Sequence, residues 1–131
     1  MPITPKTGSL FHAETQIKVI LSHGGGFLPY AAFRFLGASQ VNPGTTPEGI
    51  LADMKRFYFD TALSSTPVAL PSLLAFADPT HITFGSDFPY ASTTVSRMFT
   101  AGLDAYPLDE KQRYAINRGN AEKLFPRLAT P

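Results

Sequence analysis

The 131-residue sequence contains no cysteine. That excludes disulfides, thiolate metal sites and a cysteine nucleophile, and it fits a reducing compartment. The start, "MPITPKTGSLFH", has no basic-then-apolar leader, so the cytoplasm is the expected location. No apolar run approaches the ~18 residues of a membrane span. Charge of one sign is also missing: 11 Lys and Arg against 10 Asp and Glu leave a formal charge of +1. With the basic residues scattered, neither nucleic acid nor an anionic membrane is an expected partner. What is present is a globular composition, 44% apolar with mean hydropathy −0.01, and enough chain for one ordinary domain.

Proline, by contrast, is abundant, at 12 residues. Pro29, Pro43, Pro47, Pro67, Pro71, Pro79, Pro89 and Pro107 fall at the junctions of periodic segments, where they punctuate elements and do not signal disorder. Between them, "IKVILS" (17–22), "FYFDTA" (57–62) and "HITFGSD" (81–87) read as buried strands. Helices are expected at 29–39, at 47–56 with Pro47 in a first turn, at 66–78 with Thr66 as N-cap, and at 92–106 and 109–125. Asn117 and Gly119 are expected to break the last of these. Strand and helix alternate three times, the pattern of parallel strands joined by crossover helices. The apolar character of all three strands implies a sheet covered on both faces.

Each strand ends in polar or titratable residues: Ser22-His23, Asp60-Thr61 and Ser86-Asp87. Parallel α/β folds bind ligands at the carboxyl ends of their strands, so His23, Asp60 and Asp87 can line one mouth. After His23 comes Gly24-Gly25-Gly26. Glycines permit unusual φ and close approach, and the expectation is that they let substrate near the backbone. A phosphate cradle is the rival reading, but no Lys-Ser/Thr follows to complete it.

"SHGGGFLPY", "FYFDT", "ITFGSDFPY" and "NAEKLFPRL", in that order, resemble the C-terminal half of the amidohydrolase-related decarboxylases, a group that includes aminocarboxymuconate-semialdehyde, γ-resorcylate and 6-methylsalicylate decarboxylases. The likeness runs from about Gln16 to Leu128. It implies an α/β fold, the part of a (β/α)8 barrel holding about strands six to eight and their helices. It also implies a divalent metal cofactor (Zn or Mn), a small carboxylic-acid substrate and a homo-oligomer. By resemblance His23 is the catalytic histidine ending strand six. Asp87 is the strand-eight aspartate that holds the metal and handles a proton. Arg34 is an arginine that binds the substrate carboxylate, reaching the site across a subunit interface.

The family's remaining metal ligands, a His-x-His or Glu-x-His pair on its first strand and a histidine on its fifth, find no counterpart. Only His12, His23 and His81 exist here. A whole barrel also needs ~250 residues. The sequence therefore looks like a partial barrel domain spanning 1–131, with residues 1–15 preceding its first strand. His23 and Asp87 make two potential ligands, below the three usual at a catalytic zinc. Such a wedge exposes strand edges and an apolar sheet face, which favours self-association.

For each residue a plainer role competes. His23 can be a strand-end histidine bonded to backbone, Asp87 a helix cap, and Arg34 a solvated helix residue. Asp60 is expected to bind loop backbone groups. His81 starts its strand, on the face where barrels invest in stability, and His12 is expected on a helix before the first strand. For the whole molecule, a metal-dependent hydrolase of an ester, lactone or amide competes with the carboxy-lyase, and a non-catalytic truncated product competes with both.

Overall fold

The structure is a computed structural model that describes residues 17–129; the expectations for residues 1–15 and for His12 lie outside them. The strands are shorter than the apolar runs that announce them. β1 is Ile20–Leu21, β2 Tyr58–Asp60 and β3 Ile82–Thr83. They form one parallel sheet in the order β1-β2-β3, with Leu21 opposite Phe59 and Asp60 opposite Thr83.

After β1 the expected helix over 29–39 is two pieces. A single turn, α1 (Leu28–Ala31), passes into a 3-10 segment over Ala32–Gln40. Gly37 is a poor helix former, and Ser39 turns its hydroxyl back onto Leu36 O at 2.8 Å, a local bond that competes with the helical ladder. α2 (Pro47–Met54) starts as its sequence suggests: Thr46 Oγ1 accepts from Gly49 N at 3.0 Å and Pro47 occupies the first turn. Ahead of α3 (Ala69–Phe76), Thr66 accepts from Ala69 N through its hydroxyl and from Leu70 N through its carbonyl, both at 3.0 Å. The expected cap is therefore made, although the regular helix begins later.

α4 (Thr93–Ala105) is capped by Ser92 Oγ on Val95 N. α5 (Glu110–Tyr114) opens with a reciprocal box between Asp109 and Gln112. The expected break near Gly119 is a π-turn over Ala115–Gly119 that carries the chain into α6 (Asn120–Leu124) without interruption. A Cβ on Gly119 would lie 2.8 Å from the Tyr114 ring, so the wider turn closes over a residue with no side chain. In that turn Ile116 O accepts from Phe84 N at 2.8 Å, which ties it to the edge of the sheet beyond β3.

Ile50, Phe59, Leu70, Leu73, Ile82 and Leu103 are fully buried. Drawn from two strands and three helices, each stabilises the packing by about 1.5–3 kcal/mol. The expectation of a sheet covered on both faces holds for Phe59 and Ile82 and fails for β1, where Val19 and Ile20 are exposed. β1 is an edge strand of the described sheet, with Leu21 packed against the core and Ile20 left partly open. None of the described helices is long and apolar enough to cross a membrane.

Candidate active site

The parallel register sends all three strand tips to the same end of the sheet, carrying His23, Asp60 and Asp87 with them. His81 is at the other end. It closes the 3-10 turn ahead of β3, bonds Phe57 O through Nδ1 at 3.2 Å and stacks on Tyr58 at 4.1 Å. That is the stabilising role its position suggests.

At the β1 tip the backbone turns left-handed for four residues. φ is 58° at His23, 62° at Gly24, 76° at Gly25 and 61° at Gly26. Gly25 N donates to Ser22 O and Gly26 N to His23 O, each at 3.0 Å. The glycines are needed, but mainly for approach to the protein itself. A Cβ on Gly25 would sit 2.8 Å from the buried Phe59 ring and one on Gly24 3.3 Å from Ser64, while Gly26 alone of the three faces open space. The expectation that the run serves substrate approach is corrected to that extent: two of the three positions seat the turn on the core.

His23 is exposed, and both its ends are anchored. Its peptide N–H donates to Asp60 Oδ1 at 2.9 Å, and its ring Nδ1 lies 3.2 Å from Ala62 O. A carbonyl only accepts, so Nδ1 carries a proton, and Nε2 is the ring nitrogen left for the mouth. The backbone-bonded reading and the functional one thus coexist in different atoms of one side chain.

Asp87 is half-buried, with φ 59°. Ser96 Oγ donates to Ser86 O at 2.8 Å, and Ala91 N donates to Asp87 O at 2.7 Å, so the loop is held through its backbone. Ser92, not Asp87, caps α4. Among the described residues no hydrogen bond reaches the Asp87 carboxylate, which removes the cap as its explanation. Arg34 is exposed on the 3-10 segment, with its guanidinium 5.7 Å from the centre of the Tyr30 ring. Among the described residues no three His, Asp or Glu side chains assemble as a metal-ligand set.

One feature had no signal in the residue types. The non-glycine residues with positive φ among those described are His23, Leu63 (51°) and Asp87. Each follows the C-terminal end of a different strand. Such a conformation costs roughly 1–2 kcal/mol per residue and persists where surrounding structure over-determines it.

The family model described as "Amidohydrolase" matches residues 5–127. The chain belongs to the amidohydrolase family. Among curated amidohydrolase relatives it is 45% identical over 125 residues to the 6-methylsalicylic acid decarboxylase of Penicillium expansum, a match covering 93% of this chain and 39% of that protein. A crystal structure of an amidohydrolase II shares 34% identity and superposes with a TM-score of 0.71 over 82% of this chain and 35% of the other. The dihydroxybenzoic acid decarboxylase of Polaromonas sp. JS666, solved with manganese and the inhibitor 2-nitroresorcinol, shares the fold at 22% identity and TM-score 0.69, over 86% and 35% of the two chains. The chain thus spans roughly two fifths or less of the length of these relatives, and its sheet is part of the (β/α)8 barrel of amidohydrolases.

Proposed function

We propose that the three strand tips form one side of the mouth of a carboxy-lyase that removes CO2 from an aromatic or unsaturated carboxylic acid. The observation that carries the reading is the left-handed backbone at all three tips, with His23 and Asp87 at the outer two. Neighbouring strands lie about 4.8 Å apart. The loops that carry the two residues leave the sheet on either side of β2.

Loss of CO2 breaks a carbon–carbon bond and leaves the electron pair on the ring carbon, which then needs a proton. His23 delivers it: with Nδ1 held by Ala62 O, Nε2 takes up a proton from solvent and passes it to carbon. Asp87 suits a cation, because its half-buried carboxylate has no hydrogen-bond partner among the described residues. A divalent ion held there would stabilise the negative charge that develops as CO2 leaves. Asp87 fits as one donor of a ligand set, with further donors supplied by the rest of the barrel, and His23 stands beside it as the proton carrier. Manganese is favoured over zinc by the decarboxylase relative solved with it. Arg34 clamps the carboxylate through its planar fork. Its exposed position suits service to the site of a second copy in a homo-oligomer. A cysteine-free sequence suits the cytoplasm.

The test is a chimera. This chain replaces the matching 125 residues of the Penicillium decarboxylase, and CO2 release from 6-methylsalicylate is followed with manganese present. Release that is lost in His23→Gln and Asp87→Asn supports the reading. A folded chimera that releases no CO2, or that opens a lactone or cleaves an ester instead, overturns it in favour of the hydrolysis that the family's description names.

A further inference from the structure

We infer that Asp60 is the positioning residue of the site, fixing both the backbone and the ring of His23 and setting the three strand tips against one another. The inference rests on the catalytic reading of His23 given above, and its geometry stands independently of it.

Asp60 ends β2, between the two outer strands. Its Oδ1 accepts twice, from His23 N at 2.9 Å on the β1 side and from Ala62 N at 3.0 Å on its own strand. Ala62 then returns a bond to the same histidine, its carbonyl oxygen accepting from His23 Nδ1 at 3.2 Å. The ring of contacts closes through one residue: the carboxylate holds the His23 main chain and the Ala62 N–H, and Ala62, so anchored, holds the imidazole through the carbonyl of its next peptide unit. On the third side, Gly85 comes so close that a Cβ there would lie 3.0 Å from Asp60 Cβ and Cγ and 3.2 Å from Ala62 Cβ. Gly85 N also donates to Thr61 Oγ1 at 3.3 Å, and Asp87 follows two residues later. One half-buried carboxylate thus touches all three tips.

His23 needs such a device. A histidine at φ 58° sits in a region that L-residues avoid, and the flanking glycines supply no side chain to hold it. Charge-assisted acceptance by Asp60 is the stronger kind of hydrogen bond. Among the described residues, the other side-chain hydrogen bond that holds His23 is the Nδ1 contact, which depends on the same loop.

The experiment compares Asp60→Asn, Asp60→Ala and Asp60→Glu in the 131-residue chain, with nitrogen NMR of the His23 ring and amide exchange at His23 as readouts. Asn keeps an oxygen where Oδ1 stands. Wild type and Asp60→Asn should both show a single tautomer with the proton on Nδ1, and similar exchange. Asp60→Ala should show mixed tautomers and His23 amide exchange faster by about 10-fold or more, with the core signals of Leu103 and Ile116 unmoved. If Asp60→Ala does not fold, Asp60→Glu, which displaces the acceptor by one methylene, should give the same mixed tautomers. A pure Nδ1–H tautomer in both Ala and Glu variants, or an Asn variant as disturbed as Ala, overturns the proposal. None of these readouts involves turnover, so an inactive chimera counts against the carboxy-lyase and leaves this comparison to decide the role of Asp60.

Discussion

Replacing Gly25 with alanine should damage the protein by two separable routes. The first is conformational. At φ 76° a Cβ costs roughly 1–2 kcal/mol. The second is steric, because the new methyl would lie 2.8 and 2.9 Å from two carbons of the Phe59 ring. Phe59 is fully buried, packed edge-on against Phe76 at 6.1 Å between centroids, and has no free direction in which to retreat. Overpacking of that kind costs about 1–3 kcal/mol, so the two together amount to about 2–5 kcal/mol. Gly44 supplies the control. Its φ is 86° and nothing lies within 4 Å of where its Cβ would be, so Gly44→Ala should carry only the conformational cost. Urea unfolding of wild type and both variants, analysed at a common m-value, measures the difference directly. A Gly25→Ala variant no less stable than Gly44→Ala would refute the claim that the glycine run seats the β1 tip on the core.

Gly102 should invert a familiar rule. Gly→Ala inside a helix usually stabilises by about 1 kcal/mol, but here the Cβ would lie 2.4 Å from Ser65 O, so Gly102→Ala should lower the unfolding midpoint. Asn120→Leu should cost about 2 kcal/mol or more in the same assay, because the buried amide donates to both Pro79 O and Ile82 O at 2.8 Å. Asp78 gives a pH signature. Hydrogen bonds from the Thr80 hydroxyl and backbone N–H hold its carboxyl below the ordinary value of 3.8. A depressed folded value stabilises above the unfolded value and loses that contribution as pH falls through the folded one. The stability gap between wild type and Asp78→Asn, followed by denaturation across the acid range, should therefore be constant at neutral pH and close below about pH 3.8. It should also be small, since the group is largely exposed.

The order of elements was legible because period and punctuation agreed: β-branched runs bounded by Gly and Pro, then helix formers opened by signals such as Pro47 and Thr66. Strand lengths were not. An apolar run reports burial, and residues such as Phe84 continue past the ladder into a contact with Ile116. The exposure of Val19 and Ile20 was equally hidden, since a run cannot say whether a partner lies over it. Around the candidate site, the common end of the sheet shared by His23, Asp60 and Asp87 was legible from their places after the strands. The strain at Leu63 had no signal, because leucine gives no hint of a positive φ. Asp60 was legible as a residue that binds backbone. Which backbone it binds depends on a loop 37 residues away, and only the fold brings that loop to it.

The central proposal is that the tips of β1, β2 and β3 share one mouth in which Asp87 meets a cation beside His23. Its most direct test is to titrate Mn2+ into the isotopically labelled protein and map paramagnetic broadening onto the sequence. The account expects broadening to begin together at residues 22–26, 60–64 and 85–90. Broadening confined to exposed carboxylates elsewhere, such as Asp104 or Glu110, with the strand tips left sharp, would contradict it.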